Sequence, residues 1–117
     1  MYQKHVIGKF GEDEASKYIE KQGYKILDRN FYCKRGEIDI IALDKKEIVF
    51  IEIKSRTNGT YGLPAEAVTK KKIEHIIKTA EYYLYVRNLQ NEQVRIDVIE
   101  VYVHNNQIKI NHLKQVV

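Results

Sequence analysis

The stretch Gly36-Glu37-Ile38-Asp39-Ile40-Ile41-Ala42-Leu43-Asp44-Lys45-Lys46-Glu47-Ile48-Val49-Phe50-Ile51-Glu52-Ile53-Lys54 decides the fold. Residues Glu37 to Leu43 and Glu47 to Lys54 are rich in Ile and Val and read as β-strands, and the polar tetrapeptide from Asp44 to Glu47 makes them a hairpin. Lys45-Lys46 lacks the Gly or Asn that a two-residue primed turn favours, so a four-residue loop is expected. An even loop centred between Lys45 and Lys46 sets Asp39 across from Glu52 and Glu37 across from Lys54. An odd loop would turn Asp39 to the other face unless a bulge restored it. Side chains alternate along a strand, so Glu52 and Lys54 share one face while Val49, Ile51 and Ile53 take the other. Two carboxylates and an ammonium then converge within an otherwise apolar ribbon.

Carboxylates facing one another across an antiparallel pair repel, and two of them in close contact do not both stay ionised unaided. A bound cation would relieve them. The set has only oxygen donors, with no Cys or His, which favours a hard ion such as Mg2+ or Mn2+ over zinc. The alternative is a surface hairpin whose acids and Lys54 form weak cross-strand ion pairs worth about 0 to 1 kcal/mol.

Around this hairpin, the 117 residues are expected to form one domain, 1–117, large enough for a single core. Cys33 is the only cysteine, so there is neither an internal disulfide nor a zinc-ligand spacing, and a small apolar filler is its simplest role. No apolar run approaches membrane-spanning length and the N-terminus carries no secretory pattern, so a soluble cytoplasmic protein without a membrane partner is expected. The net charge of +4 suits a polyanionic partner without demanding one.

From about Gln3 to Gln22, Val6, Ile7, Phe10, Ala15, Tyr18 and Ile19 fall on one helical arc, with Gly23 as its C-cap. Tyr24 to Leu27 and Phe31 to Lys34 read as a short strand or a bent pair of strands. Ser55 to Pro64 is a Gly-containing loop. After Thr69, a good N-cap, Ile73, Ile76, Ile77, Ala80, Tyr83, Leu84 and Arg87 mark a second amphipathic helix. Val94 to Val103 and Gln107 to Leu113 make a terminal hairpin around His104-Asn105-Asn106. The fold class is therefore α/β (α+β), a mixed β-sheet flanked by helices in the order α-β-β-β-α-β-β.

An acid on one strand and Glu-x-Lys on the next resembles the signature of the PD-(D/E)XK nuclease superfamily. The resemblance extends through Gly11-Glu12, Ala15, Gly23-Tyr24, Arg29-Asn30-Phe31, Gly36-Glu37-Ile38-Asp39, Phe50 to Arg56, Gly62, Pro64, Lys72 and Arg95-Ile96-Asp97-Val98. On these residues the chain is similar to the YraN family, small bacterial proteins predicted to be endonucleases and related to archaeal Holliday junction resolvases. Ile38 stands where a Pro often precedes the acid in the superfamily. The resemblance implies a restriction-endonuclease-like core and hydrolysis of phosphodiester bonds in DNA, with branched or structured DNA as substrate. It also implies a metal held by Asp39, Glu52 and the Ile53 carbonyl, with Lys54 beside it. A helix-borne Glu completes the site in resolvase-like relatives. The matching position is Glu12, although the helical arc by itself would choose Glu14. Gly8 and Gly11 would let this helix approach the sheet closely. A homodimer suits two symmetric cuts in a junction. The rival class is a non-catalytic nucleic-acid-binding or scaffold protein that retains the fold, and a third is an oligomeric module that uses its Tyr-rich helix.

Several other residues carry readings of their own. Lys70, Lys71 and Lys72 open the second helix, where positive side chains oppose the macrodipole and a bound phosphate would relieve them. Arg56 continues the face of Glu52 and Lys54 and reads as a phosphate ligand. Tyr82, Tyr83 and Tyr85 crowd the end of the second helix, Tyr83 at core spacing and the others as surface residues or base-stacking groups. His5, His75, His104 and His112 show no ligand spacing and read as ordinary polar positions. Asp97, two residues from Arg95, reads as half of a structural ion pair.

Overall fold

Five strands lie side by side in chain order: β1 (Lys25–Cys33), β2 (Gly36–Asp44), β3 (Glu47–Arg56), β4 (Val94–His104) and β5 (Gln107–Leu113). Only β3 and β4 run parallel, since helix α2 (Lys70–Val86) carries the chain back between them. Helix α1 (Lys4–Lys21) covers one face of the sheet and α2 the other. This is the expected α-β-β-β-α-β-β order. The structure, a computed structural model, describes residues 4–56 and 69–117. Gly62, Pro64 and most of the loop read from Ser55 to Pro64 lie outside the described residues, as do the side chains of His5, Val6 and Ile7.

The apolar run of β3 is explained by its central place, with a strand on each side and a helix on each face. Val49 and Ile51 pack with Ala15 and Ile19 of α1 and with Ile99 and Val101 of β4. Ile48 and Phe50 pack on the other side with Ile76, Ala80 and Tyr83 of α2. Each such side chain contributes roughly 1.5–3 kcal/mol on leaving water. Phe10 departs from the expected arc and stays 41% exposed. Of the two helix glycines, only Gly11 makes a close approach. A Cβ there would stand 3.2 Å from the Ser55 Cβ, whereas one at Gly8 would meet open space.

Both helices end in paired 6→1 and 5→2 bonds. In α1, Tyr24 N–H donates to Ile19 and Gly23 N–H to Glu20, with Gly23 at φ +94°. In α2, Leu89 donates to Leu84 and Asn88 to Tyr85, with Asn88 at φ +57°. The Thr69 side chain caps the start of α2 by accepting from the Lys72 N–H at 3.1 Å.

Of the two alternatives for residues 25–33, the single strand forms, because the ladder with β2 absorbs Leu27 as a bulge between Ile26 and Asp28. One local expectation needs correction. The central turn has two residues, not four. Asp44 pairs with Glu47, and Lys45 takes φ +58° despite having a side chain. Arg95 explains this tolerance, because its Nη1 reaches both Asp44 and Glu47 at 2.9 Å and clamps the two ends of the turn.

The same guanidinium organises the α1 side. It donates to Asp97 at 3.0 and 3.2 Å and to the Tyr24 hydroxyl. Asp97, fully buried, also accepts from the Gln115 N–H at 2.9 Å and bonds His112 Nε2 at 2.7 Å. His112 Nδ1 in turn meets the Tyr18 hydroxyl at 3.1 Å. Although burial opposes ionisation of Asp97, its bonds to His112, Arg95 and Gln115 outweigh this and hold its pKa below the usual carboxylate value. The expected Arg95–Asp97 ion pair is therefore present, and His112 is a buried link rather than an ordinary polar residue. Removing one member leaves a buried charge uncompensated. Arg95→Ala should lower unfolding free energy by about 3–5 kcal/mol in urea denaturation, whereas replacement of an exposed lysine such as Lys46 should change it by under about 0.5 kcal/mol.

Candidate active site

The β2–β3 ladder runs from Asp44 opposite Glu47 to Ile40 opposite Ile51, so the aligned positions sum as the even loop requires. The ladder stops there. One residue further, the Asp39 carboxylate replaces a backbone acceptor and takes the Ile53 N–H at 2.8 Å. Strand alternation is interrupted at this point. Ile38 and Ile40 belong to opposite core clusters, and across β1 Arg29 reaches α1 while Phe31 packs on Tyr83 of α2. Asn30, between those two, has φ +54°. This twist releases Asp39 from either core and aims it at β3. Glu37 consequently pairs with Tyr32 of β1, and the expected Glu37–Lys54 alignment does not form because the ladder has already ended.

Glu52 is 6% exposed and faces α2. Two ammonium groups attend one of its oxygens, Oε2: Lys54 at 3.6 Å and Lys72 at 3.5 Å. Lys72, expected to meet phosphate, instead meets a carboxylate of the site itself from the first turn of α2. Lys70 and Lys71 remain exposed at the same helix end. Burial and the facing Glu52 carboxylate push the Asp39 pKa up to about 7, against the lowering effect of the Ile53 N–H bond. The two acids are thus brought together as the spacing anticipated.

Glu12 takes a different position. Its carboxylate accepts from Arg29 Nε at 2.6 Å and Asn30 Nδ2 at 3.1 Å, so α1 is tied to β1 beside the place where alternation breaks. Glu14 pairs with Lys17. Among the described residues, no three His, Cys, Asp or Glu side chains are grouped to hold a metal ion. Glu12 is buried where it braces Arg29 and Asn30 of β1.

The neighbouring strand adds a residue that the sequence reading missed. Glu100, 1% exposed, lies in register with Lys54, accepts from Asn111 Nδ2 at 2.7 Å, and sits 3.8 Å from Arg56 Nη2. Arg56 is therefore partnered by an acid on the site's own face. The signal was available, since Glu100 interrupts the apolar run Val98-Ile99-Glu100-Val101 just as Glu52 interrupts its own strand.

For a cation, the converging donors are the Asp39 and Glu52 carboxylates. A strand residue directs its N–H and C=O to the same side, so the Ile53 carbonyl also faces Asp39. This all-oxygen set, carrying a carboxyl that retains a proton near neutrality, fits a hard divalent ion.

Fold and site together define a small α+β protein with a mixed five-stranded sheet and a half-buried acid–lysine cluster at the end of its central hairpin. Residues 11–101 match the family described as "Uncharacterised protein family UPF0102", and the chain belongs to that family. A UPF0102 protein of Caldanaerobacter subterraneus subsp. tengcongensis is 47% identical over 113 residues, covering 94% of this chain and 93% of the relative. One from Clostridium perfringens is 48% identical over 110 residues, covering 92% and 90%. One from Persephonella marina is 48% identical over 109 residues, covering 93% and 90%. Among solved structures, Pyrococcus furiosus SfsA in complex with Ca2+ is similar at a TM-score of 0.44 and 16% identity, covering 94% of this chain and 63% of that one. Among the described residues, no helix is long and apolar enough to cross a membrane.

The raised Asp39 pKa has a definite sign in stability. The folded state binds a proton more tightly than the unfolded chain, whose Asp titrates near about 3.9, so this carboxyl's contribution falls as pH rises from there to about 7. Asp39→Asn keeps an acceptor for Ile53 and cannot ionise. Without divalent ions, its melting temperature should match wild type near pH 4 and exceed it by several degrees above pH 7. A gap that does not change with pH would remove the assigned coupling.

Proposed function

We propose that this protein is a Mg2+- or Mn2+-dependent endonuclease that hydrolyses phosphodiester bonds in DNA. The observation that carries this reading is the convergence of Asp39 and Glu52, with Asp39 pushed to a pKa of about 7 and two lysines on the Glu52 carboxylate. Repelling acids, one buried and one half-buried, flanked by ammonium groups, are poor structural material and good ligands for a cation and a phosphate.

The Asp39 and Glu52 carboxylates and the Ile53 carbonyl would hold the ion. Bound there, a divalent metal lowers the pKa of coordinated water and offsets negative charge at the phosphoryl group. The chain's own side chains do the rest. Lys54 is fixed by Glu52 and directs its N–H donors at the attacking water and the non-bridging oxygens, where charge grows in the transition state. Lys72 brings a second cation from the start of α2, and Lys70, Lys71 and Arg56 extend the positive surface for backbone phosphates. Glu12 acts through Asn30, bracing the β1 position across from Asp39. Branched or otherwise structured DNA is the substrate class that the resemblance to Holliday junction resolvases supplies, and a homodimer would set two such sites for paired cuts.

Cleavage and metal binding test this directly. Asp39→Ala and Glu52→Ala should each abolish Mn2+-dependent cutting of a panel of junction, flap, nicked and linear DNA while leaving DNA binding little changed or improved. Mn2+ should also raise the melting temperature of the wild type at pH 8 and leave that of Asp39→Asn unmoved. Cutting that survives either alanine change would refute the assignment, and DNA binding without metal-dependent cutting in the wild type would favour a non-catalytic binding protein.

A further inference from the structure

A groove of about 640 Å³ lies between the end of β1 and the second half of α2. Its lining includes Phe31, Tyr32, Lys34, Arg35, Tyr82 and Arg87, and none of the lining residues is acidic. Tyr82 is 41% exposed, and the Phe31 ring lies beside it, 6.4 Å away at an interplanar angle of 32°. Lys34 and Arg35 occupy the β1–β2 turn, exposed, with no carboxylate partner among the described residues. Arg87 is held in place by Asp28 at 3.3 Å and by the Tyr83 ring, 4.9 Å below its guanidinium.

Gly36 seats this turn on the helix. It has φ +149°, and a Cβ there would come 2.9 Å from the Thr79 hydroxyl. The groove and the acid–lysine cluster both abut α2, the groove through Tyr82, Val86 and Arg87 and the cluster through Lys72. Lys72, Thr79 and Val86 follow one another at seven-residue spacing on one stripe of the helix, and Tyr82 lies ten residues, or about 15 Å, beyond Lys72.

An aromatic platform is of little use to a duplex, whose bases are stacked inside, while bases of an unpaired strand can stack on it and cations beside it can take the strand's phosphates. We propose that this groove binds an unpaired DNA strand leading into the site, with a base stacked on Tyr82 and the backbone held by Lys34 and Arg35. The inference rests on the nucleic-acid reading above and narrows its substrate to duplexes that carry a single-stranded arm.

The test is fluorescence anisotropy in metal-free buffer, so that nothing is cut, with a blunt duplex and the same duplex bearing a single-stranded arm. The wild type should bind the armed probe more tightly. Tyr82→Ala should lose roughly tenfold on the armed probe and nothing on the blunt one, whereas Tyr82→Phe should keep the preference. The Lys34→Ala/Arg35→Ala double variant alters only exposed side chains, and it should reduce the slope of log K against log salt for the armed probe by about 1.4, the share of two phosphate contacts on a single strand. Equal affinity of the wild type for both probes, or equal losses on both in the variants, overturns the groove assignment. Metal-dependent cutting of the blunt duplex would then still stand on its own, whereas failure to bind either probe would overturn both readings.

Discussion

Repulsion between the Asp39 and Glu52 carboxylates is the constraint around which this structure is arranged. Two acids in contact and partly shielded from water are costly unless one keeps its proton or cations lie close. The protein uses both means. Asp39 titrates near neutrality, and Lys54 and Lys72 converge on Glu52 from two different elements. The mixed topology puts this cluster where the central antiparallel ladder ends and α2 begins.

The two faces of the sheet divide the work. On the α1 side, Arg95 and Asp97 join the central turn, β4, the C-terminal tail and, through His112, α1 itself. Every buried polar atom in that network has partners, as it has throughout the described residues. This side fixes the β2–β3 register. On the α2 side the polar groups are of mixed sign and meet at longer range, with lysines 3.5 and 3.6 Å from Glu52 and Arg56 3.8 Å from Glu100. The α1 face is thus the closely hydrogen-bonded one, and the charges around Glu52 and Glu100 on the α2 face are paired at longer range.

Much of this was legible along the chain because it depends on short-range rules. Thr69, Gly23 and Asn105-Asn106 announce a helix start, a helix end and a hairpin turn through conformations that their neighbours cannot change. Both asparagines of the last turn take positive φ, at 49° and 61°. The sum of positions linking Asp39 to Glu52 needed only an even turn. The length of that turn was misread because Lys45 has no intrinsic preference for φ +58°, and the guanidinium that stabilises it comes from Arg95, about fifty residues away in sequence.

Sequence by itself therefore determined the element order, the family and the pairing of one acid with another, since periodicity, caps and register are properties of neighbouring residues. Tertiary structure alone decided which distant groups joined them. Lys72 reaches Glu52 because the crossover lays the first turn of α2 over the end of β3. Glu100 comes beside Lys54 because β4 runs parallel to β3, and Glu12 settles on Arg29 and Asn30 because α1 lies on the opposite face. Those placements follow from sheet twist and from the packing of helices on its two faces, which no local pattern encodes.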